Sequence, residues 1–252
     1  MTVERNDVPA GPLHGRWAEH LVPWGTINIA VTDRGIVAID IQPLDVDSWV
    51  AHTARRINGN LGQVDPKDEA SIMPDGQRRL LLEARRQIDQ YFAGYRYEYS
   101  VDVDLRGVSR WDRQVLEATR KIRFGKVTSY GRLARTMGSA GSARAVGGAL
   151  RRNPVPIIIP CHRVLAGDGT LGGYAGVMAP PRPDPRSDDP DAPAIEAVED
   201  PILAIKRTLL TVEGIELPHA FGLQALARAA DPRGVEPRGT AAASMRKATP
   251  PA

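Results

Sequence analysis

The sequence predicts an α+β fold, a mixed α/β stretch followed by a helical one. Three observations carry this reading. β-Branched apolar runs cluster near the N-terminus, a long amphipathic segment covers residues 77–93, and beyond residue 105 short helical segments alternate with glycines. Residues 26–32 (TINIAVT) and 36–41 (IVAIDI) read as strands, and Asp33-Arg34-Gly35 between them makes a hairpin. Residues 77–93 place Leu81, Ala84, Ile88 and Tyr91/Phe92 at helical spacing, and Gly94 takes the C′ position. Residues 97–104 (YEYSVDVD) alternate as a strand does. In the second stretch Trp111, Val115, Ala118 and Ile122 share one helix face, with Gly125 as the stop. Residues 130–137 form a short helix closed by Gly138. Residues 142–152 form another, ended at Asn153 because a residue before proline disfavours helical geometry. The pair has helix-turn-helix proportions. The isoleucines of NPVPIIIP (residues 153–160) read as a short buried strand, and residues 202–210 resume helical periodicity. The expected organisation is residues 1–104 as one domain and 105–217 as a second. The second is interrupted by a proline-rich acidic insertion at 178–201, and a disordered tail follows at 218–252.

Composition narrows the function. Of 252 residues, 42% are hydrophobic and 25% charged, as in globular proteins, which excludes a disordered or fibrous chain. No run reaches the roughly 18–20 apolar residues of a membrane span, and the N-terminus shows no apolar stretch of the kind a secretory signal needs. Cys161 is the only cysteine, which excludes a disulfide scaffold and any zinc site needing two thiolates. The five histidines lack metal-ligand spacing, so no metal and no cofactor are expected, and the expected setting is reducing and cytoplasmic. Charge is uneven. Residues 106–163 carry thirteen Lys/Arg against Asp112 and Glu117, whereas residues 178–201 carry seven acids against two arginines. The basic block fits either a polyanion partner or a solvated surface, and charge alone does not separate them.

Two segments carry chemistry. In PCHRV, Cys161 follows a proline at the end of the apolar run, His162 adjoins it, and Arg163 adds positive charge that favours a thiolate. A thiolate is a strong nucleophile and a histidine can take its proton. On a straight strand neighbours point oppositely, so a Cys161–His162 contact requires a turn or a bridging water. The helix at 142–152 is mostly small: Ser142, Ala143, Ala145, Gly147, Gly148 and Ala149. Two adjacent helical glycines destabilise it by roughly 1 kcal/mol each. Close approach to a nucleic-acid minor groove and close helix–helix packing both account for them.

The stretch SARAVGGALRRNPVPIIIPCHRV resembles the core of the O6-alkylguanine-DNA alkyltransferases, the methylated-DNA–protein-cysteine methyltransferases. The resemblance extends upstream through QVLEATRKIRFGKVTSYGRLA and downstream through GTLGGYAG and ILAIKRTLLTVEG. It is strong over residues 105–214, weaker over 24–103, where the hairpin and YFAG carry it, and absent after Leu217. It implies a ribonuclease-H-like α/β domain followed by a winged helix-turn-helix-type domain that binds DNA and does the chemistry. It also implies stoichiometric, irreversible transfer of an alkyl group from O6 of a flipped guanine, and from O4-alkylthymine, to the protein. By this resemblance Cys161 accepts the alkyl group, His162 deprotonates it through a water, Glu213 orients His162, and Asn153 orders the site's turn. Tyr130 lies by the flipped base and the 3′ phosphate, and Arg144 fills the space the base leaves. Val155, Pro156 and Tyr174 form apolar walls. The carbonyls of Cys161 and Val164 read the guanine edge, and a backbone N–H near Ala175 donates to O6. Ser142, Ala143, Ala145, Gly147 and Arg151 contact DNA. The implied partner of this monomer is double-stranded DNA containing O6-alkylguanine, bound through the minor groove, with no membrane association.

The chain departs from the family pattern in places. Ala175 stands where serine is common, and Val177 replaces the last glycine of GYAGG. Residues 109–114 replace a proline- and phenylalanine-containing lead-in, with Trp111 in the aromatic position. The insertion replaces a short connection, and a harmless loop is the expectation for it, since long loops cost little stability. Two other classes compete with this reading. A non-catalytic protein that recognises alkylated DNA and recruits other factors would dispense with Cys161. A cysteine hydrolase would need a glycine-rich nucleophile turn that IIIPCHRV lacks.

Overall fold

A computed structural model describes residues 13–64, 73–178 and 200–216. The insertion, apart from its two ends, and the tail after residue 216 lie outside the described residues. The first stretch is a four-stranded sheet built from β1 (Leu13–Val22), β2 (Gly25–Thr32), β3 (Gly35–Asp40) and β4 (Gly59–Gln63), in the order β3-β2-β1-β4. β1–β2 and β2–β3 pair antiparallel, and β1–β4 pairs parallel after a crossover through α1 (Val46–Ile57). Both faces of the sheet are covered. Ile27, Ile29 and Val31 point to α2 (Asp75–Phe92), where Leu81, Ala84, Ile88 and Tyr91 are buried. Trp17, Ala30, Val37 and Ala38 point the other way, to Ile57 of α1, with Trp49 and Val50 packed against them. Burial on both faces explains why β2 and β3 read as continuous apolar runs.

The predicted hairpin and the helix at 77–93 stand, and Gly94 has a φ of 76° as a C′ glycine should. β1, α1 and β4 escaped the sequence reading. LHGRWAEHLV and GNLGQ carry polar residues and glycines where strand signals were sought, and α1 is half polar. Residues 97–104 are not a strand. Val103 forms only an isolated bridge to Ile36, where Ile36 N–H donates to Asp102 O at 2.8 Å and Asp104 N–H donates to Ile36 O at 2.9 Å.

The second stretch holds α3 (Arg110–Arg120), β5 (Thr128–Ser129), α4 (Tyr130–Thr136) and α5 (Ala143–Arg151). A 3₁₀ turn at Cys161–Arg163 leads into β6 (Val164–Leu165), then β7 (Gly173–Tyr174), β8 (Val177–Met178) and α6 (Pro201–Val212). Ser109 and Ser129 cap α3 and α4 by accepting from Asp112 N and Arg132 N. Met178 belongs to β8, and Asp200 caps α6 by accepting from Ile202 N at 2.9 Å, so both ends of the predicted insertion are parts of ordered elements. One continuous core joins the two stretches, with Val115, Leu116, Leu133, Val146, Leu150 and Leu209 beside the sheet residues. Among the described residues no helix is long and apolar enough to cross a membrane.

The predicted strand at NPVPIIIP is a compact turn. Its three prolines lack N–H donors, so no ladder can run through it. Asn153 organises it instead. Oδ1 accepts from Val155 N at 3.1 Å, and Nδ2 donates to Ile159 O at 2.9 Å. Ile157 is held at φ 72°, a strained position for a β-branched residue. Pro154 O accepts from Ile39 N–H at 2.8 Å, which fastens the turn to the outer side of β3.

Candidate active site

Cys161 sits at the first position of the 3₁₀ turn, 7% exposed, and opens on a cavity of about 820 Å³. Tyr130, Arg135, Arg144, Gly147, Arg151 and Tyr174 are among the residues lining it. Asn153 Nδ2 donates to Cys161 Sγ at 3.1 Å. Burial pushes the thiol up from its ordinary range, and the Asn153 hydrogen bond and the Lys206 charge oppose that. The Tyr174 hydroxyl is buried near the sulfur and has no hydrogen-bond partner of good geometry among the described residues.

The turn resolves the neighbour problem, because His162 is not constrained to point opposite Cys161 as on a strand. The fully buried His162 ring is directed at Glu213, and Nε2 donates to Oε1 at 2.8 Å. Its Nδ1 is buried and has no hydrogen-bond partner among the described residues. Burial pushes His162 down, against the pull of Glu213, and with Nε2–H held by the carboxylate, Nδ1 is the nitrogen that carries the lone pair when the ring is neutral. No hydrogen bond joins His162 to Cys161 among the described residues.

Glu213 is a node. Tyr91 Oη donates to Oε1 at 2.9 Å, Gly125 N–H donates to Oε2 at 3.1 Å, and the Arg163 guanidinium donates to both oxygens at 2.9–3.0 Å. Burial works against the carboxylate, but the hydrogen bonds and charges of His162 and Arg163 outweigh it and bring the carboxyl down to about 2. Arg163 also donates to Ile122 O at 2.6 Å. This corrects the expectation for Arg163: its charge is spent on Glu213, not on the sulfur.

The charge that opposes the rise of the thiol is that of Lys206, on α6, with no exposure. Nζ donates to Val164 O at 2.7 Å, Leu171 O at 2.5 Å and Gly173 O at 3.1 Å. Burial lowers Lys206 to about 7, with Cys161 working the other way. Sequence reasoning missed Lys206 and the Tyr91 hydroxyl. A signal existed for the first: Lys206 shares the i, i+3, i+4, i+7 face with Ile202, Ile205 and Leu209, so it is a charge on an apolar face.

Other predicted residues are placed unevenly. Tyr130 lines the cavity, and its hydroxyl donates to Gly173 O at 3.0 Å. On α5, Ala143, Arg144, Gly147 and Arg151 reach the cavity, whereas Ser142 and Ala145 do not line it, and Ala145 O accepts from Trp111 Nε1. Val155 and Pro156 are buried behind the wall and do not line the cavity, because the compact turn draws them into the core, and the Val164 carbonyl, expected at the guanine edge, accepts from Lys206 Nζ at 2.7 Å. Ala175 is exposed at φ 44°, and Val177 lies in β8 opposite Tyr174, where no positive φ is required. The two helical glycines are not explained by internal crowding. A Cβ at Gly147 would meet only the Tyr130 ring at 3.8 Å, and one at Gly148 the Arg152 guanidinium at 3.5 Å, both ordinary contacts. Among the described residues no cluster of His, Cys, Asp and Glu is placed to hold a metal ion.

The fold and site define a protein with one cysteine, buried, hydrogen-bonded and open to a cavity beside a pair of short helices. Residues 110–184 match the family model described as 6-O-methylguanine DNA methyltransferase, DNA binding domain. The chain is 44% identical over 98 residues to the methylated-DNA–protein-cysteine methyltransferase of Mycolicibacterium paratuberculosis, covering 39% of this chain and 59% of that one. It is 32% identical over 169 residues to the protein of the same name from Rattus norvegicus, covering 61% and 72%. A solved structure of Mycobacterium tuberculosis OGT in complex with DNA superposes with a TM-score of 0.54 at 25% identity, over 79% of this chain and 92% of that one. The chain belongs to the methylated-DNA–protein-cysteine methyltransferase family, and it spans 59% of the length of the mycobacterial relative.

Proposed function

We propose that the protein repairs DNA by transferring an alkyl group from O6 of guanine to Cys161, once per molecule. The observation that carries this reading is the placement of Cys161 Sγ, held by Asn153, on a cavity walled by the Arg144 and Arg151 side of α5. The carbon attacked is saturated, so the step is an in-line displacement. The thiolate electron pair forms the S–C bond, and the C–O pair stays on the guanine oxygen. The thiol proton passes through one water to His162 Nδ1, whose lone pair Glu213 leaves free by holding Nε2–H, and ends on the guanine. The product is a thioether without a carbonyl for water to attack, so Cys161 is not regenerated.

A base inside a duplex is out of reach and must be flipped, at a few kcal/mol. Arg144, exposed on α5 at the cavity edge, suits the vacated space because guanidinium is planar, cationic and stacks on bases. The small residues of α5 let its backbone approach a minor groove, and the mild environment of Gly147 and Gly148 inside the protein supports an external reason for them. In this reading residues 1–104 are a ribonuclease-H-like domain. Residues 105–217 are a winged helix-turn-helix-type domain with α4 and α5 as the helix pair, and the protein acts as a monomer in the cytoplasm.

The test is intact-protein mass spectrometry after mixing with a duplex containing O6-methylguanine. The expected result is a gain of one methyl on Cys161, lost in Cys161→Ser while DNA binding remains. Binding without a mass gain in the unaltered protein would instead establish a recognition-only protein.

A further inference from the structure

We propose that Arg135 is a positioning residue that grips a DNA phosphate beside the flipped guanine, folded back over Gly131 to reach the mouth of the cavity. This assignment rests on the cavity receiving a flipped guanine, and it adds a contact from α4 to those expected of α5.

The geometry begins at Gly131. Helical side chains lean toward the N-terminus and cover the residue one turn earlier. Arg135 stands one turn after Gly131 on α4, and Gly131 has no side chain to occupy that patch. The guanidinium lies back over it: Arg135 Nη1 is 3.9 Å from the point where a Cβ of Gly131 would stand. The charge is thereby carried from the last turn of α4 toward its start. Ser129, Tyr130, Gly131 and Arg135 all line the cavity on which Cys161 opens. The Tyr130 hydroxyl has one proton, and it is spent on Gly173 O at 3.0 Å. A phosphate at this wall therefore needs another donor, and Arg135 is the one beside it.

The charges leave Arg135 available. It is exposed, and among the described residues no hydrogen bond or ion pair engages its guanidinium. The same holds for Arg144 and Arg151, the other arginines that line the cavity. Arginines close by in the chain are committed instead, Arg152 to Asp112 at 2.7–2.8 Å and Arg163 to Glu213. Among the described residues that line the cavity none is acidic. Three unpaired cations around one concave site repel one another, and an anion placed among them relieves this. The substrate supplies that anion. A flipped base stays joined to its strand, so the phosphates on either side of it are held at the mouth while the base is inside. A guanidinium meets two phosphate oxygens with a planar pair of N–H donors.

The experiment is a double-mutant cycle between the side chain and the phosphate. Binding is measured with the full chain carrying Cys161→Ser, so that no alkyl group moves. One duplex holds O6-methylguanine between ordinary phosphates. In two others the 3′ or the 5′ flanking phosphate is an uncharged methylphosphonate. Arg135→Gln should weaken binding to the ordinary duplex about fivefold and lower the salt slope by about 0.9. On one of the methylphosphonate duplexes the same substitution should cost almost nothing, because the charge it pairs with is already gone. Arg135→Lys should keep most of the binding, since an ammonium still pairs with a phosphate. Arg120→Gln removes an exposed cation that does not line the cavity and should show no such coupling. With Cys161 restored, Arg135→Gln should slow methyl transfer from the duplex and leave transfer from free O6-methylguanine base unchanged. Thermal melts establish that each variant folds. The proposal is overturned if Arg135→Gln costs the same on all three duplexes, if Arg120→Gln couples equally, or if transfer from the free base slows as much. Absence of transfer from the unaltered protein would sink the repair reading instead, and the binding cycle would still decide the role of Arg135.

Discussion

At the scale of single residues, the site works by assigning each polar group one task. Asn153 makes three contacts with one amide: it bonds the sulfur, closes the turn at Val155 and holds Ile159 O. Asn153→Ala removes all three while Ile157 keeps its strained φ. It should lower stability by about 1–3 kcal/mol in urea unfolding and slow thiol alkylation, whereas a purely local role in the turn would leave the reactivity unchanged. Glu213 gives a pH prediction. Its folded carboxyl is depressed to about 2 from an ordinary 4.5. The contribution is therefore fully present above about pH 5 and is lost as pH falls through 4.5 toward 2. It amounts to roughly 3 kcal/mol if the full shift is expressed. Glu213→Gln should lower stability by a similar amount at pH 7, because it leaves Arg163 buried without its partner. It should also flatten the loss between pH 5 and 2, and an unchanged acid limb in denaturant titrations would show that Glu213 is not the group responsible.

At the scale of elements, α5 brings exposed cationic side chains to the cavity, whereas α6 contributes none of its lining. Arg144→Ala tests the first. If the side chain supports the flipped state, the variant should transfer roughly tenfold more slowly from duplex DNA and react normally with free O6-methylguanine base, which needs no flipping. Equal slowing of both substrates would place Arg144 in the chemistry instead. The elements themselves were read from the sequence with mixed success. Amphipathic spacing found α2 through α6, because each buries one stripe; Gly94 and Gly138 follow α2 and α4 in left-handed conformations, whereas α3 stops at Arg120, short of Ile122 and of the Gly125 expected to end it. The run NPVPIIIP misled. Apolar content alone does not distinguish a strand from a turn stabilised by one asparagine, and the prolines were the better guide.

For the whole molecule, the site was legible where it is local and illegible where it is not. Cys161 and His162 are adjacent in sequence and announce themselves, and the resemblance pointed to Glu213 fifty-one residues further on. Tyr91 was legible only as a core residue, because its hydroxyl reaches Glu213 across 122 positions. Lys206 was hidden inside a helix that seemed explained by its isoleucines and leucines. Distant partners are set by packing between the sheet's helix and α6, and no window along the chain contains that packing.

The bonds on the outer side of β3 have a further consequence. A strand at the border of a sheet offers unpaired N–H and C=O groups to any other strand, which is a route to aggregation. Here Ile36 is engaged by Asp102 and Asp104, and Ile39 N–H is taken by Pro154, in the same turn that carries Asn153. The protein thus guards its stickiest border with the segment that holds its reactive sulfur. Loosening of that turn, as Asn153→Ala would bring about, is therefore expected to expose a β-branched edge to pairing with another strand.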